Sequence, residues 1–371
     1  MTGIYYLSTL TFPSRYANRV QVLKMADAFS ALVPVTLFGT RVSGTSEGVR
    51  KRYGLSPRIL FCIVRGIRLK PRSFWRAFFL RKHIRRAPEG TVFYAREIML
   101  TLFLTLLSRK FRESFFLESH SLHRFPKKLY RFLFFRARGI IVTNRFKKEL
   151  LIEWGIPEER ILVEPNGIDA KRFKKLTTLE DARDALGIPR NLRVILYLGV
   201  FSPDRGVDVF FNAALRADAS VGDFYAVGAT ELQKKELEAK YRAGHIHIRE
   251  LVPYEKVPLY YSAADCLVAP WSGKYDVSRI HGSPLKIPEF MYSARPLVIS
   301  DLPMTREWVN DRVARLVVPD DPAALLTAIK EILKNPTLAR AKAQKARAIA
   351  AEHTWDKRAE RIIQFMKKDE T

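Results

Sequence analysis

Short runs of β-branched and aromatic residues alternate along the chain with longer stretches whose apolar residues recur at helical spacing, the pattern of βαβ units in parallel sheets. In the first half the predicted strands are GIYYLS (3–8), VTLF (35–38), TVFY (91–94), SFFLE (114–118), GIIVT (139–143) and RILVEP (160–165). Between the first two, Val22, Met25, Ala26, Phe29 and Leu32 fall on one helical face, which predicts a helix over 18–32 packed on the sheet. The second half restarts the pattern with RVILYLG (193–199), FYAVG (224–228), HIHI (245–248), CLVAP (266–270), PLVIS (296–300) and ARLVV (314–318). The polar, charged stretch from Asp169 to Leu192 separates the two series and reads as an interdomain connection. The expectation is an α/β chain of two doubly wound domains with ligands bound beyond the carboxyl ends of the strands, in a cleft where the sheets face one another.

Length agrees with two domains, since 371 residues exceed what one core usually serves. With 47% hydrophobic and 12% aromatic residues the chain has enough apolar material for two cores, which excludes a disordered protein. The longest apolar run, Met99 to Leu107, is short of the roughly 20 residues a membrane-spanning helix requires. MTGIYYLSTLTF reads as a first strand, not as a basic leader with a cleavage site, so the expected location is cytoplasmic. Cys62 and Cys266 lie in strand-like runs and are expected to be buried reduced thiols.

Charge changes the picture more. An excess of 64 Lys+Arg over 38 Asp+Glu leaves a formal net charge of +26, which selects for phosphate in some form: nucleic acid, anionic lipid or a nucleotide substrate. No helix-turn-helix, zinc-finger or RNA-binding sheet signature accompanies it, so nucleic acid is the least favoured partner. The cations are concentrated. RGIRLKPRSFWRAFFLRKHIRR (65–86) carries nine Lys/Arg and no acidic residue, and HRFPKKLYRFLFFRARG (123–139) repeats the composition. In the first stretch Arg68, Lys70, Arg72, Trp75, Arg76, Phe79, Arg81 and Lys82 suit an anionic membrane surface, cations at the phosphates and rings among the acyl chains. The second stretch reads equally as a core helix with solvated cations.

Candidate chemistry collects at two loop-to-helix junctions. In LYLGVFSPDRGVDVFFNAA, Arg205 projects from the loop that follows Gly199, at a strand's carboxyl end, where a cation suits a pyrophosphate. In HGSPLKIPEFMYSARPLVISDLP (281–303), Ser283 and Pro284 precede a helix whose first amides, with the ammonium of Lys286, make an anion pocket; Glu289 lies nearby as an acceptor for sugar hydroxyls. Neither junction excludes a solvated Arg or an ordinary helical ion pair.

The blocks GIIVTNRFKKELLIEWGIPEERILVEPNGIDAKRF (139–173), ILYLGVFSPDRGVDVFFNAA (195–214), VPYEKVPLYYSAADCLVAP (252–270) and SPLKIPEFMYSARPLVISDLPMTREWV (283–309) resemble, in order, those of retaining glycosyltransferases of the GT-B fold, glycosyltransferase family 4. HTWDKRAERI resembles the family's C-terminal helix that crosses back to the first domain. The resemblance implies domains over 1–175 (acceptor side), 176–352 (nucleotide-sugar side) and a returning helix over 353–371. It implies catalytic roles for His120, Arg205 and Lys286, and donor contacts from Asn18, Gly199, Arg205, His281, Ser283, Pro284, Leu285, Lys286 and Glu289. Arg205 and Lys286 with the Leu285 amide would hold the diphosphate, Glu289 the ribose, and His120 would lie over the donor sugar. Three positions and one loop differ from the family pattern: His281 replaces the first Glu of its two-glutamate motif, Val200 an Arg, Ala294 a Gly, and TFPSRYANRV its glycine-rich loop.

The resemblance also implies a transferase that retains the donor's anomeric configuration. Its expected donor is a UDP- or GDP-sugar with no further cofactor, and transfer is expected to be metal-independent because the basic residues and helix N-termini can take the leaving diphosphate's charge. No Asp-x-Asp occupies a loop suited to a metal-bound nucleotide: Asp181 and Asp184 fall in the connecting stretch, and Asp320-Asp321 is expected to start a helix. The expected acceptor is lipid-linked, a glycolipid or a polysaccharide precursor, met at the inner face of the membrane. Two alternatives stay open: a nucleotide-sugar epimerase or hydrolase of the same fold, and a non-catalytic membrane-docking subunit.

Overall fold

The computed structural model describes residues 1–368 except 10, 13–16, 40, 43–44, 65–68, 123 and 174–176; the side chains of 12, 17, 18, 41, 42 and 281 are likewise outside the described set. Arg68 therefore lies outside the described residues, as do the side chains of Asn18 and His281. The chain divides into two compact units, one of Met1–Asn166 with Trp355–Thr371 and one of Gly167–Thr354.

The first unit is built on a parallel sheet in the order Ile59–Ile63, Val35–Gly39, Gly3–Leu7, Thr91–Ala95, Phe115–Ser119, Gly139–Val142, Ile161–Val163. All six predicted strands form, each within two residues of the predicted bounds. The edge strand Ile59–Ile63 and the short pair Thr11–Phe12 and Arg41–Val42 are additions. The run ILFCI around Cys62 is apolar throughout although the strand lies at the sheet edge, where Leu60 is 63% exposed. Cys62 on that strand is half-buried, not buried as expected, with Sγ 3.9 Å from His83 Nδ1. The predicted helix over 18–32 forms as Ala17–Ser30 and packs beside Trp355–Lys368, and on the strands beneath it Tyr6 and Tyr94 meet Phe29 edge to face.

The second unit has the parallel order Ile246–Glu250, Asp223–Ala229, Val194–Leu198, Cys266–Ala269, Leu297–Ser300, Arg315–Val317. Both faces are covered, so alternate residues enter separate cores. Val194, Leu196 and Leu198 join one apolar cluster, and Ile195 and Tyr197 join the other. In both sheets the strand order reverses beside the first strand of the unit, between Gly3–Leu7 and Thr91–Ala95 and between Val194–Leu198 and Cys266–Ala269. Loops at the carboxyl ends on either side of such a reversal splay apart and leave a crevice.

The stretch Asp169–Leu192 is not a connection. It folds as two short helices, Ala170–Phe173 and Leu179–Leu186, and Phe173, Ala182 and Ile188 are buried in the core of the second unit. Most of its charged residues stay on the outer faces, which gives it a linker-like composition. The unit boundary accordingly falls at 166/167 and not at 175/176.

Candidate functional site

Gly199, at the end of the strand Val194–Leu198, starts a loop that reaches a single turn Pro203–Arg205 and then the helix Val207–Leu215. Two glycines set its path. Gly206 has φ +64, and a Cβ there would sit 1.8 Å from the Pro270 carbonyl oxygen; a Cβ on Gly228, with φ +134, would sit 1.8 Å from that of Gly199. The loop is thus clamped to the chain that follows the neighbouring strand, across the reversal. Arg205 bridges it: the guanidinium stands 5.2 Å from the Trp271 ring centroid and its Nε lies 3.2 Å from Asp204 Oδ2. About a third of the Arg205 side chain is exposed. The turn Pro203–Arg205 also packs on the turn Val277–His281.

From Ser283 to Leu285 the chain is half-buried and leads into the seven-residue helix Lys286–Tyr292, with Pro288 in its first turn as expected. Lys286 and Glu289 meet, Nζ to Oε2 at 3.3 Å, but not as a surface pair. Glu289 is buried. Tyr261 donates its hydroxyl to Oε2 at 3.0 Å and Tyr254 to Oε1 at 3.1 Å, while Lys286 Nζ lies 3.1 Å from the Tyr261 hydroxyl. Arg172 completes the cluster, its Nη1 4.0 Å from Glu289 Oε1 and its guanidinium against the Tyr254 ring. Burial lowers the Lys286 pKa against the opposing pull of Glu289, and burial followed by the Glu289 charge raises both tyrosines, which stay protonated donors. Glu289 faces the two cations Lys286 and Arg172, and the buried Asp169 carboxylate also acts on Tyr254. Oε2 has two close donors and Oε1 has one, which leaves Oε1 capacity for a further hydroxyl.

Local sequence pattern singles out neither Arg172 nor Tyr254 nor Tyr261. All three lie inside the blocks NGIDAKRF and VPYEKVPLYY, and the signal that could have found them is an Arg and two tyrosines in segments otherwise bounded by apolar residues. Arg205 shares no hydrogen bond with the Lys286 cluster among the described residues. The two groups hang on separate crossovers of one sheet.

In the first unit His120 follows the strand Phe115–Ser119, and its Nε2 lies 2.7 Å from Glu118 Oε1. Glu118 is buried among cations: Arg358 Nη2 is 2.7 Å from Oε1, Arg96 Nε is 3.8 Å from Oε2, and Tyr94 donates to Oε2 at 2.6 Å. Burial pushes the Glu118 carboxyl up, but Arg358 and Arg96 outweigh it and hold the group well below the usual carboxylate range. Burial and then the Arg96 charge bring His120 down to about 4, against the attraction of Glu118. The imidazole is therefore neutral at pH 7. A carboxylate only accepts, so the ring proton is on Nε2 and Nδ1 is the acceptor.

The family model described as "Glycosyltransferase Family 4" matches residues 19–172, and that described as "Glycosyl transferases group 1" matches residues 192–335. The chain is a family 4, group 1 glycosyltransferase. Among similar sequences, a "Lipopolysaccharide core biosynthesis mannosyltransferase LpsB" of Rhizobium meliloti (strain 1021) is 27% identical over 301 residues, 72% of this chain and 81% of that one. A "Lipopolysaccharide 1,2-N-acetylglucosaminetransferase" of Salmonella typhimurium is 26% identical over 245 residues, 62% of this chain and 61% of the relative. In structure this glycosyltransferase is similar to a glycosyltransferase from Rickettsia africae (TM-score 0.77, 16% identity, 100% of this chain and 98% of the other). It is similar also to Anabaena Alr3699/HepE solved in complex with UDP (TM-score 0.75, 16% identity, 99% and 100%). These likenesses establish the GT-B fold, two Rossmann-like units with parallel sheets.

The basic stretches divide. The helix Arg72–Arg85 buries Ala77, Leu80 and Ile84, while Phe78 and Phe79 are 40% and 37% exposed and Trp75 is half-buried. Lys70, Arg72 and Lys82 are exposed around them, and Arg76 and Arg81 are half-buried. In the second stretch the helix Lys127–Phe134 buries Tyr130, Leu133 and Phe134, so here the aromatics serve the core.

Proposed function

We propose that this glycosyltransferase moves a sugar from a nucleoside-diphosphate sugar to a glycan or lipid-linked acceptor, with retention of anomeric configuration and without a metal ion. The observation that carries the reading is the cationic pair of loops beside the strand reversal of the second unit, Arg205 on Trp271 and Lys286 held by Glu289 and Tyr261. As the bond from anomeric carbon to phosphate oxygen breaks, charge accumulates on the leaving diphosphate. Fixed cations in a largely desolvated site stabilise that charge with little reorganisation. Arg205 and Lys286 supply them, and Lys286, held by two partners, needs no rotamer search. Glu289 Oε1 accepts a ribose hydroxyl, with Tyr254 and Tyr261 fixing the carboxylate. Neutral His120 Nδ1 accepts a hydrogen bond from a substrate hydroxyl. With retention, the acceptor hydroxyl attacks from the side the phosphate leaves and passes its proton to the departing phosphate oxygen.

The donor class is supported by the UDP in the similar Anabaena structure, and a lipopolysaccharide-type acceptor by the names of the two relatives. The exposed Phe78 and Phe79 among cations favour an acceptor met at an anionic membrane, from the side where the chain is expected to reside. Titration calorimetry with UDP and GDP tests the reading. One of them is expected to bind, and Lys286→Ala and Arg205→Ala are each expected to weaken binding at least about tenfold, the scale of one lost charge-assisted contact. Unchanged affinity in both variants would remove the site assignment. Turnover that persists in excess EDTA, with product anomeric configuration read by NMR, tests the metal-free retaining chemistry.

A further inference from the structure

A cationic cavity lies in the same unit, at the amino ends of the strands. It has a volume of about 480 Å³. Arg193 precedes the strand Val194–Leu198, Asp265 the strand Cys266–Ala269 and Arg295 the strand Leu297–Ser300, and all three line it. With strands of four or five residues rising ~3.3 Å each, the cavity is on the order of 15 Å from the loops that carry Gly199 and Trp271.

The charge there is unbalanced. The helix Pro336–Ala351 adds Arg340 and Arg347, seven residues apart and so on one helical face, with Gln344 between them. Four guanidiniums thus border the cavity with one carboxylate, Asp265. That carboxylate is already committed: Arg183 Nη2 lies 2.5 Å from its Oδ2, and the Val194 amide donates to the same oxygen at 2.7 Å. Arg193, Arg340 and Arg347 form no ion pair among the described residues. Arg347 stands 5.4 Å from the Tyr292 ring, and Arg295 donates one hydrogen bond at 2.5 Å to the Ser262 carbonyl. Burial lowers the Arg295 pKa against the attraction of Asp265, with Arg183 and Arg340 adding repulsion and Glu180 a further attraction. Arg193 and Arg340 are exposed and solvated, while Arg295 and Arg347 are half-buried, and gathering like charges around a concavity is unfavourable to the extent that they are desolvated without an anion. Ile332, Leu333 and Pro336 form an apolar wall beside the cations. Bare phosphate has no use for such a wall, and the volume lies in the range of small-molecule sites.

We propose that this cavity binds a small phosphorylated metabolite, a compact ring carrying two phosphate charges, at a site separate from the one that takes the sugar donor. The guanidiniums of Arg340 and Arg347 grip one phosphate, Arg295 and Arg193 the other, and the ring lies against Ile332 and Leu333. Its occupancy is independent of how the donor site is assigned.

Calorimetric titration of the full chain with pyrophosphate and with fructose 1,6-bisphosphate tests it. Both probes are expected to bind, with at least about tenfold weaker binding in R340E/R347E and wild-type binding in R205A/K286A. R340Q and R347Q, singly, keep the test meaningful if the double variant misfolds; each is expected to melt like wild type and to bind with intermediate affinity. No binding by wild type, or unchanged binding in R340E/R347E, overturns the proposal. Loss of binding in R205A/K286A alone also overturns it, since the anion would then sit in the donor site. If the free probes fail but phosphatidylglycerol vesicles bind in an Arg340- and Arg347-dependent way, the ligand is a lipid headgroup and the metabolite assignment is wrong.

Discussion

At the scale of single residues, the decisive feature is how few charged groups near the candidate site are left to solvent. Lys286 and Glu289 are recognisable in the sequence as a pair three apart, an arrangement that on most helices contributes a few tenths of a kcal/mol. Here Tyr254, Tyr261 and Arg172 surround them, and no local spacing announces residues that lie 28 to 117 positions away from Glu289. His120 gives a test with a defined pH window. Its pKa in the folded chain is about 4, whereas an unfolded histidine titrates near 6.5. Between those values the unfolded chain takes up a proton that the folded chain does not, so stability falls as pH drops from about 6.5 to about 4. His120→Gln is expected to remove that part of the slope, up to about 3 kcal/mol across the window. Urea titrations of both proteins at several pH values check this, and parallel pH profiles would show that His120 is not held neutral. Glu118 acts in a different range. Its depressed pKa contributes stability above the ordinary carboxylate value that is lost only as pH falls below it.

At the scale of elements, hydrophobic pattern and turn chemistry located nearly every strand, because strands covered on both faces must be apolar throughout and cannot be mistaken for surface. One failure has the same cause in reverse. The helix Leu179–Leu186 hides a narrow apolar stripe, Ala182 with Leu186, in a charged segment, whereas Ile59–Ile63, apolar throughout, is legible around Cys62 and is missing from the predicted strand series. The terminal helix Trp355–Lys368 shows what an element adds beyond its own pattern. Its Arg358 is buried and reaches Glu118 Oε1 at 2.7 Å, the Pro165 carbonyl at 2.8 Å and the Glu164 carbonyl at 3.2 Å, so one side chain joins the returning helix to the sheet. Arg361 adds a two-pronged pair with Glu164 at 2.6 and 3.0 Å. Arg358→Met leaves Glu118 buried with less compensation and is expected to destabilise the first unit by about 3–5 kcal/mol. Chemical denaturation followed by tryptophan fluorescence measures it. A change under about 1 kcal/mol would mean that Arg96 alone suffices to balance Glu118.

At the scale of the whole molecule, a net charge of +26 is too large to be spent on one substrate. Part of it gathers at Arg205 and Lys286, part at the arginine cavity and part on the helix Arg72–Arg85. Exposed Phe78 and Phe79 beside Arg72 and Lys82 predict binding to phosphatidylglycerol vesicles that weakens as salt rises. Phe78→Ser with Phe79→Ser is expected to abolish co-sedimentation without altering UDP affinity, and retained co-sedimentation would assign the membrane contact elsewhere. The sequence by itself determined the fold class, the strand series, the returning helix and the Lys286 to Glu289 segment, because these rest on local periodicity and on the order of family-like blocks. Tertiary structure alone decided that 169–192 belongs to the second core, that three residues from distant blocks hold Glu289, and that arginines from separate segments border one cavity. Pattern along a chain records which face of an element is buried. It does not record what stands opposite, and both burial of charge and convergence of charge depend on that neighbour.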